Sequence, residues 1–282
     1  MRDFKEKGMR FLFFLTACVC VAAVVLICLF LFASGIPAIR EIGVFQFLFG
    51  TKWKPANNLY GIFPMIVGSV YVTAGALAIG VPVGVLTAVF MAAFVPKRLY
   101  KPMKAAVNLM AGIPSVVYGF FGLVVLVPFV RENIGGRGQS CLTASILLGL
   151  MILPTVVSVS ETSIRAVPKS YYEGGLALGA SHERSAFYTV LPAAKGGIFA
   201  GIVLGTGRAV GETMAVMMVA GNQAVIPRKI TSGVRTLTAN IVLEMGYSTD
   251  LHREALIATA VVLFVFILLI NLSLSLMKHK IG

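Results

Sequence analysis

The sequence predicts an all-α, polytopic membrane protein of six transmembrane helices, and three observations carry that prediction. The 282 residues are 58% hydrophobic and only 12% charged, with a mean hydropathy of +0.91, far from the mix of a soluble domain. Six apolar stretches reach about 20 residues, the length that crosses a hydrocarbon core as a helix. The basic residues, which leave a net charge of +13, cluster between those stretches instead of interleaving with aromatics. They suit membrane surfaces and give no footprint for a nucleic acid.

The first stretch, 11–34, follows a basic tail at 1–10. It exceeds the length of a signal-peptide core and no small-residue cleavage site follows it, so it is predicted to be an uncleaved anchor. Cys18, Cys20 and Cys28 lie in it and Cys141 elsewhere. With no CxxC and no histidine cluster, neither a disulfide framework nor a metal site is predicted, and the cysteines read as small packing residues. A segment at 35–63 leads to span two, 64–94. The others are span three at 104–130, span four at 141–160, span five at 198–220 and span six at 255–277, before a short tail at 278–282.

Orientation follows from lysine and arginine. The two tails, residues 97–104 and the loop 161–197 hold fourteen of them, against nine on the opposite side in longer segments. Both termini are therefore expected in the cytoplasm, which makes 35–63 and 221–254 external. Within 221–254, Leu237, Ile241 and Met245 recur on one helical face, predicting a short helix that either receives a partner or lies against the bundle.

Prolines 82, 114 and 154 fall inside spans two, three and four, where each frees a backbone carbonyl and bends the helix. Around Pro114, a continuous helix would put Gly112, Ser115, Gly119 and Gly122 on one side, suited to close helix packing or to a moving gate.

Span five carries the most informative residues. A charge at bilayer depth costs about 2.5–3.5 kcal/mol on insertion scales, so Arg208 and Glu212 need a reason to be there. With Gly201 as origin, a continuous helix places Gly205 at about 40°, Arg208 at about −20° and Glu212 at about 20°. Small residues would then open a space faced by a charge pair. The guanidinium offers a planar fork of donors suited to phosphate or carboxylate oxygens, and Glu212 would compensate it when no anion is bound. The other reading is an ion pair that only staples helices.

The loop 161–197 is far longer than most helix connections. It predicts a helix capped by Ser170 with Glu173 at the third helical position, a turn at Gly179, and a second helix ending at Leu191-Pro192.

Residues 173–192, EGGLALGASHERSAFYTVLP, resemble the EAA loop of ABC importer permeases: a glutamate, a glycine six positions on, and Leu-Pro at a fixed distance. Gly174 and Gly175 replace the usual alanines and Thr189 fills a usually aliphatic slot. WKPANNLYGIFPMIVGSVYVT (53–73), AGIPSVVYGFFGL (111–123), residues 152–180 and GRAVGETMAVMMVAGN (207–222) are similar, in order, to the C-type permease subunit of the bacterial high-affinity phosphate transporter.

The resemblance implies a permease core at 64–277 and a multi-pass protein of the bacterial cytoplasmic membrane. It implies a heterodimer with an A-type permease, two ATP-binding subunits that carry ATP and magnesium, and an extracytoplasmic phosphate-binding protein. It assigns Arg208 and Glu212 to the phosphate pathway, and Glu173, Gly179, Leu191 and Pro192 to coupling with the ATPase. No cofactor is expected on this chain, which has no GxxxxGK[ST] loop. The alternatives are a permease for sulfate or molybdate, an ion-coupled transporter or anion channel, and a membrane enzyme. No span shows a nucleophile and base at workable spacing for the last.

Overall fold

A computed structural model describes the backbone of residues 2–281 and the side chains of all but 1–5, 7, 274 and 277–282. The basic side chains predicted to mark the cytoplasmic tails, Arg2, Lys5, Lys7, Lys278 and Lys280, lie outside the described side chains. The protein is an all-α membrane bundle. Among the described residues, five helices are long and apolar enough to cross a membrane, or six when a bent pair at His182–Ala193 and Lys195–Gly211 counts as one span.

The anchor helix α1 (Arg2–Ile42) is exposed along most of its length, as a lipid-facing helix must be. Gly43, at φ +91°, separates it from the short α2 (Val44–Phe49). A two-residue hairpin follows, β1 (Trp53–Lys54) paired antiparallel with β2 (Leu59–Tyr60) in the register Trp53↔Tyr60. Residues 35–63 are thus an ordered cap: Phe47, Trp53, Tyr60 and Ile62 share a core with Leu237, Ala255 and Leu256.

Helix α3 (Phe63–Val89) absorbs Pro82 and runs on through a π turn at Phe90–Phe94. The predicted third span is not one helix. Helix α4 (Lys97–Gly112) has no buried residue and ends at Ile113 and Pro114, both extended at ψ 126° and 143°. The residue before a proline is pushed out of the helical region, so Ile113-Pro114 severs the run where a bend was expected. The membrane-length helix instead covers Ser115–Asn133, made of α5 (Ser115–Phe121), a π turn at Gly122–Leu126 and α6 (Val127–Asn133).

Helix α7 (Cys141–Arg165) is the buried axis of the bundle, capped by the Ser140 hydroxyl, which accepts from Thr143 N–H at 3.2 Å. It packs against α3 along the most extensive helix interface of the molecule. Gly80 and Gly84 of α3 make this possible: a Cβ at either would stand 2.7–2.8 Å from Ile152 or Val156.

After α7 come α8 (Lys169–Ala177), α9 (His182–Ser185), a π turn at Ala186–Val190 and α10 (Leu191–Ala193). A 69° bend then leads into α11 (Lys195–Gly211). Helix α12 (Met214–Val219) follows a break at Glu212. The predicted helix in 221–254 is present as α13 (Leu237–Met245), and it lies against the bundle through the fully buried Leu237. Helix α14 (Asp250–Ile281) closes the fold and holds α1, with Gly35 set against Ala258 and Val261 and Phe32 edge-on to Phe264 at 5.9 Å.

Candidate functional site

Span five breaks at its charged pair. Helix α11 ends at Gly211, and Glu212 is extended at φ −69°, ψ 129°. Arg208 and Glu212 therefore do not share a helical face as the sequence suggested. Glu212 Oε1 instead accepts the backbone N–H groups of Thr213 and Ala215, both at 3.2 Å. That carboxylate satisfies two of the orphan donors at the start of α12. Arg208, in the last turn of α11, is partly exposed; among the described residues no carboxylate lies within 4.0 Å of it.

The glycines behind Arg208 admit a helix and do not open a space. A Cβ on Gly201 would lie 3.2 Å from Ser160 Oγ, and one on Gly205 would lie 3.0 Å from Val156 Cγ2, so α7 fills that face.

The broken spans three and five meet just beyond their breaks. A Cβ on Gly119 would fall 2.7 Å from Met218 Sδ and 3.0 Å from Ala215 Cα, and one on Gly122 would fall 2.8 Å from both Leu147 and Val219. Ser115 opens α5 and is partly exposed. Gly112 has nothing within 4 Å of a built Cβ, so it does not belong to the packed stripe: Pro114 puts it on another helix. Tyr118 donates its hydroxyl to Met110 O at 2.9 Å, bridging the Pro114 break.

The 161–197 loop folds into an elbow. Helix α8 starts at Lys169 after Pro168, and Ser170 is inside it, so the predicted serine cap is absent. Ser181 is a cap, accepting Arg184 N–H at 3.2 Å. Gly179, at φ +83°, turns the chain: its N–H reaches Leu176 O at 2.9 Å and Ala180 N–H reaches Gly175 O at 3.1 Å, the two bonds of a Schellman end. Gly175 lets the second helix approach, since a Cβ there would collide with Ser185 Oγ, while Gly174 faces open space. Glu173 is exposed, and Leu178 at the tip is 91% exposed. Leu191 packs with Ile164, Ala194 and Ile198, and Pro192 is exposed just before the 69° bend.

Two ion networks escaped the sequence reading. Glu161, 1% exposed, accepts Lys104 Nζ at 2.6 Å, Arg165 Nε at 2.7 Å and Tyr100 Oη at 2.7 Å. Arg165 also donates to Met91 O at 2.7 Å and stacks 4.2 Å over the Tyr100 ring. The Glu161/Arg165 spacing of four was the available signal. Glu244 accepts Trp53 Nε1 at 2.8 Å, Arg235 Nη1 at 2.6 Å and His252 Nε2 at 2.9 Å. Burial pushes the Glu244 carboxyl up, but the bonds from Trp53, Arg235 and His252 together with the Arg235 charge outweigh it and hold the group below its ordinary 4.5. Its partners lie on three separate segments, so no local pattern announces it.

Comparison with known proteins agrees with this architecture. Residues 80–281 match the family described as the binding-protein-dependent transport system inner membrane component. A probable ABC transporter permease of Bacillus subtilis, YqgH, is 39% identical over 91% of this chain and 87% of its own length. The phosphate transport system permease protein PstC of Xylella fastidiosa is 32% identical over 94% and 89%. A bacterial alginate ABC transporter, solved in complex with an alginate pentasaccharide-bound periplasmic protein, has the same fold at 15% identity, with a TM-score of 0.63 over 95% of both chains. The chain belongs to the binding-protein-dependent transport system inner membrane component family, the membrane-spanning permeases of ABC importers.

Proposed function

We propose that this chain is the C-type permease subunit of an ATP-driven importer of inorganic phosphate in the bacterial cytoplasmic membrane. Its partners in this reading are an A-type permease, two ATP-binding subunits and an extracytoplasmic phosphate-binding protein, with both termini cytoplasmic and 35–63 and 221–254 outside. The reading is supported by the similarity to PstC proteins and carried by one observation at the site. Arg208 presents a guanidinium at the break of span five, with Glu212 committed to the start of α12. A fork of donors not already claimed by a carboxylate suits a tetrahedral oxyanion.

The chain performs no covalent chemistry. Phosphate passes Arg208 as the bundle alternates between outward and inward openings, and ATP and magnesium act on the partner ATPase. The elbow at Glu173–Pro192, with Leu178 projecting from it, is the surface that fits a groove of that ATPase. Because a ligand shifts an equilibrium only through differential affinity, docking of loaded binding protein must favour the state that binds ATP more tightly.

The test is to coexpress the four kinds of subunit, reconstitute them and measure ATP hydrolysis and uptake with loaded phosphate-binding protein. Phosphate uptake that sulfate and molybdate do not replace supports the reading. Uptake of either competitor in place of phosphate overturns it, as does uptake that persists without the ATPase.

A further inference from the structure

The break at Glu212 leaves that residue's carbonyl outside both helices and, among the described residues, without an intrahelical partner. Its partner comes from the segment 221–254: the Thr238 hydroxyl donates to Glu212 O at 3.1 Å. Thr238 is 7% exposed, and its Oγ1 lies 3.1 Å from Thr236 Oγ1. A hydroxyl carries one proton, so with that of Thr238 committed to Glu212 the Thr236 hydroxyl is the donor between the two. Thr236 Oγ1 in turn accepts Ala239 N–H at 3.2 Å as the cap of α13.

The result is a one-way chain of hydrogen bonds, Ala239 N–H to Thr236 to Thr238 to the Glu212 carbonyl, in which each bond polarises the next. The same turn is fastened to span two, where Leu237 N–H donates to Ser69 Oγ at 2.9 Å. Its far end is held by Glu244, which joins α13 to Trp53, Arg235 and His252.

We infer that Thr238 is a positioning residue through which movement of α13 is transmitted to the break at Glu212 and so to the orientation of Arg208. This rests on the transport reading above, in which residues 221–254 face the binding protein. Among the described residues, Thr238 makes the side-chain hydrogen bond from α13 to the break: Glu212 holds α12 with its side chain, and Thr238 holds Glu212 by its backbone. A displacement of α13 by a docked protein must stretch the Thr238 bond or drag the break with it.

The inference is tested in the reconstituted four-component importer with Thr238→Val, which keeps the shape and removes the donor, and Thr238→Ser, which keeps the donor. Thr238→Val should assemble and hydrolyse ATP at the basal rate, while the stimulation by loaded binding protein and phosphate uptake fall about tenfold, the scale of one part-buried carbonyl left without its donor. Thr238→Ser should restore both. Full stimulation and uptake in Thr238→Val, or a Thr238→Ser importer as poor as Thr238→Val, overturns the assignment. Should Thr238→Val not assemble, Thr238→Cys, with a weaker donor of similar volume, is expected to show the same split between basal and stimulated rates; equal rates overturn it.

Hydrogen exchange at Thr213–Met217 in the detergent-solubilised complex needs neither ATP nor phosphate. Faster exchange in Thr238→Val than in Thr238→Ser supports the tie even if the transported anion proves not to be phosphate, and unchanged exchange removes it.

Discussion

Lys104 Nζ lies 2.6 Å from Glu161 Oε2, joining the otherwise unburied α4 to the buried axis of the bundle. Arg165 and Tyr100 complete the set, so a carboxylate 1% exposed is met by two cations and a phenol. Removing Glu161 strands those cations, while removing Lys104 leaves Arg165 to compensate. Glu161→Ala leaves three donors without their acceptor, the two cations being 27% and 42% exposed and so within reach of water, and is expected to cost about 2 kcal/mol of stability; Lys104→Met, which leaves Tyr100 and Arg165 on the carboxylate, is expected to cost less. Thermal unfolding of the two variants in one detergent gives the order; equal midpoints would show that the network is not what fixes α4.

Glu244 gives a pH prediction with a built-in probe. Its folded carboxyl is held below 4.5, so the group contributes stability above the unfolded value and loses it as the pH falls below about 4.5 toward the folded value. The chain has one tryptophan, Trp53, whose indole N–H donates to Glu244. Its emission should therefore shift as the hairpin is released on acidification below pH 4.5. In Glu244→Gln that transition should vanish; an identical titration in the variant would sink the assignment.

Gly174 and Gly175 are adjacent in α8 but face different surroundings. Open space surrounds Gly174, so Gly174→Ala should stabilise the elbow by about 1 kcal/mol through helix propensity alone. At Gly175 an added methyl meets Ser185 Oγ, and Gly175→Ala should destabilise the elbow and weaken ATPase copurification. Shortening the obstacle in a Gly175→Ala/Ser185→Gly double variant should recover part of the loss. Limited proteolysis of the 166–194 region reads all three; equal protection in the two single variants would contradict the packing described.

Arg208→Ala should abolish phosphate uptake while leaving insertion and assembly intact. Arg208→Lys should rescue poorly, since an ammonium supplies a point charge without a fork. Uptake by reconstituted vesicles distinguishes the cases: full rescue by lysine would mean that charge alone suffices, and normal uptake by Arg208→Ala would remove the residue from the pathway.

Spans one, two, four and six were legible because membrane helices must satisfy every backbone group internally and must be about 20 apolar residues long, a constraint written locally in the chain. The elbow was legible for a similar reason: Gly179 must adopt positive φ, and Leu191-Pro192 marks the approach to the bend. The break at Glu212 was not. AVGETMAV has helix-compatible spacing throughout, and the decision depends on whether Glu212 caps α12 or faces Arg208, while the carbonyl freed by the break finds its donor in Thr238, 26 residues away. The Pro114 break was half visible: proline announced a disturbance, but the separation of α4 depends on Ile113 becoming extended. The Glu244 network was invisible because Trp53 stands 191 residues from its acceptor.

Helix α1 waits for its partner while most of the bundle is made. Helix α1 finds its main helical neighbour in α14, which begins only at Asp250. At about 5–20 residues per second it spends roughly 10–40 s surrounded by lipid before that neighbour exists. Its even apolarity, with exposed Phe, Leu and Val on all sides, is what lets it survive that interval. The meeting of Gly35 with Ala258 and Val261 must then wait for α14, so a bulky residue at 35 would be tolerated while α1 inserts and felt only once α14 has been made.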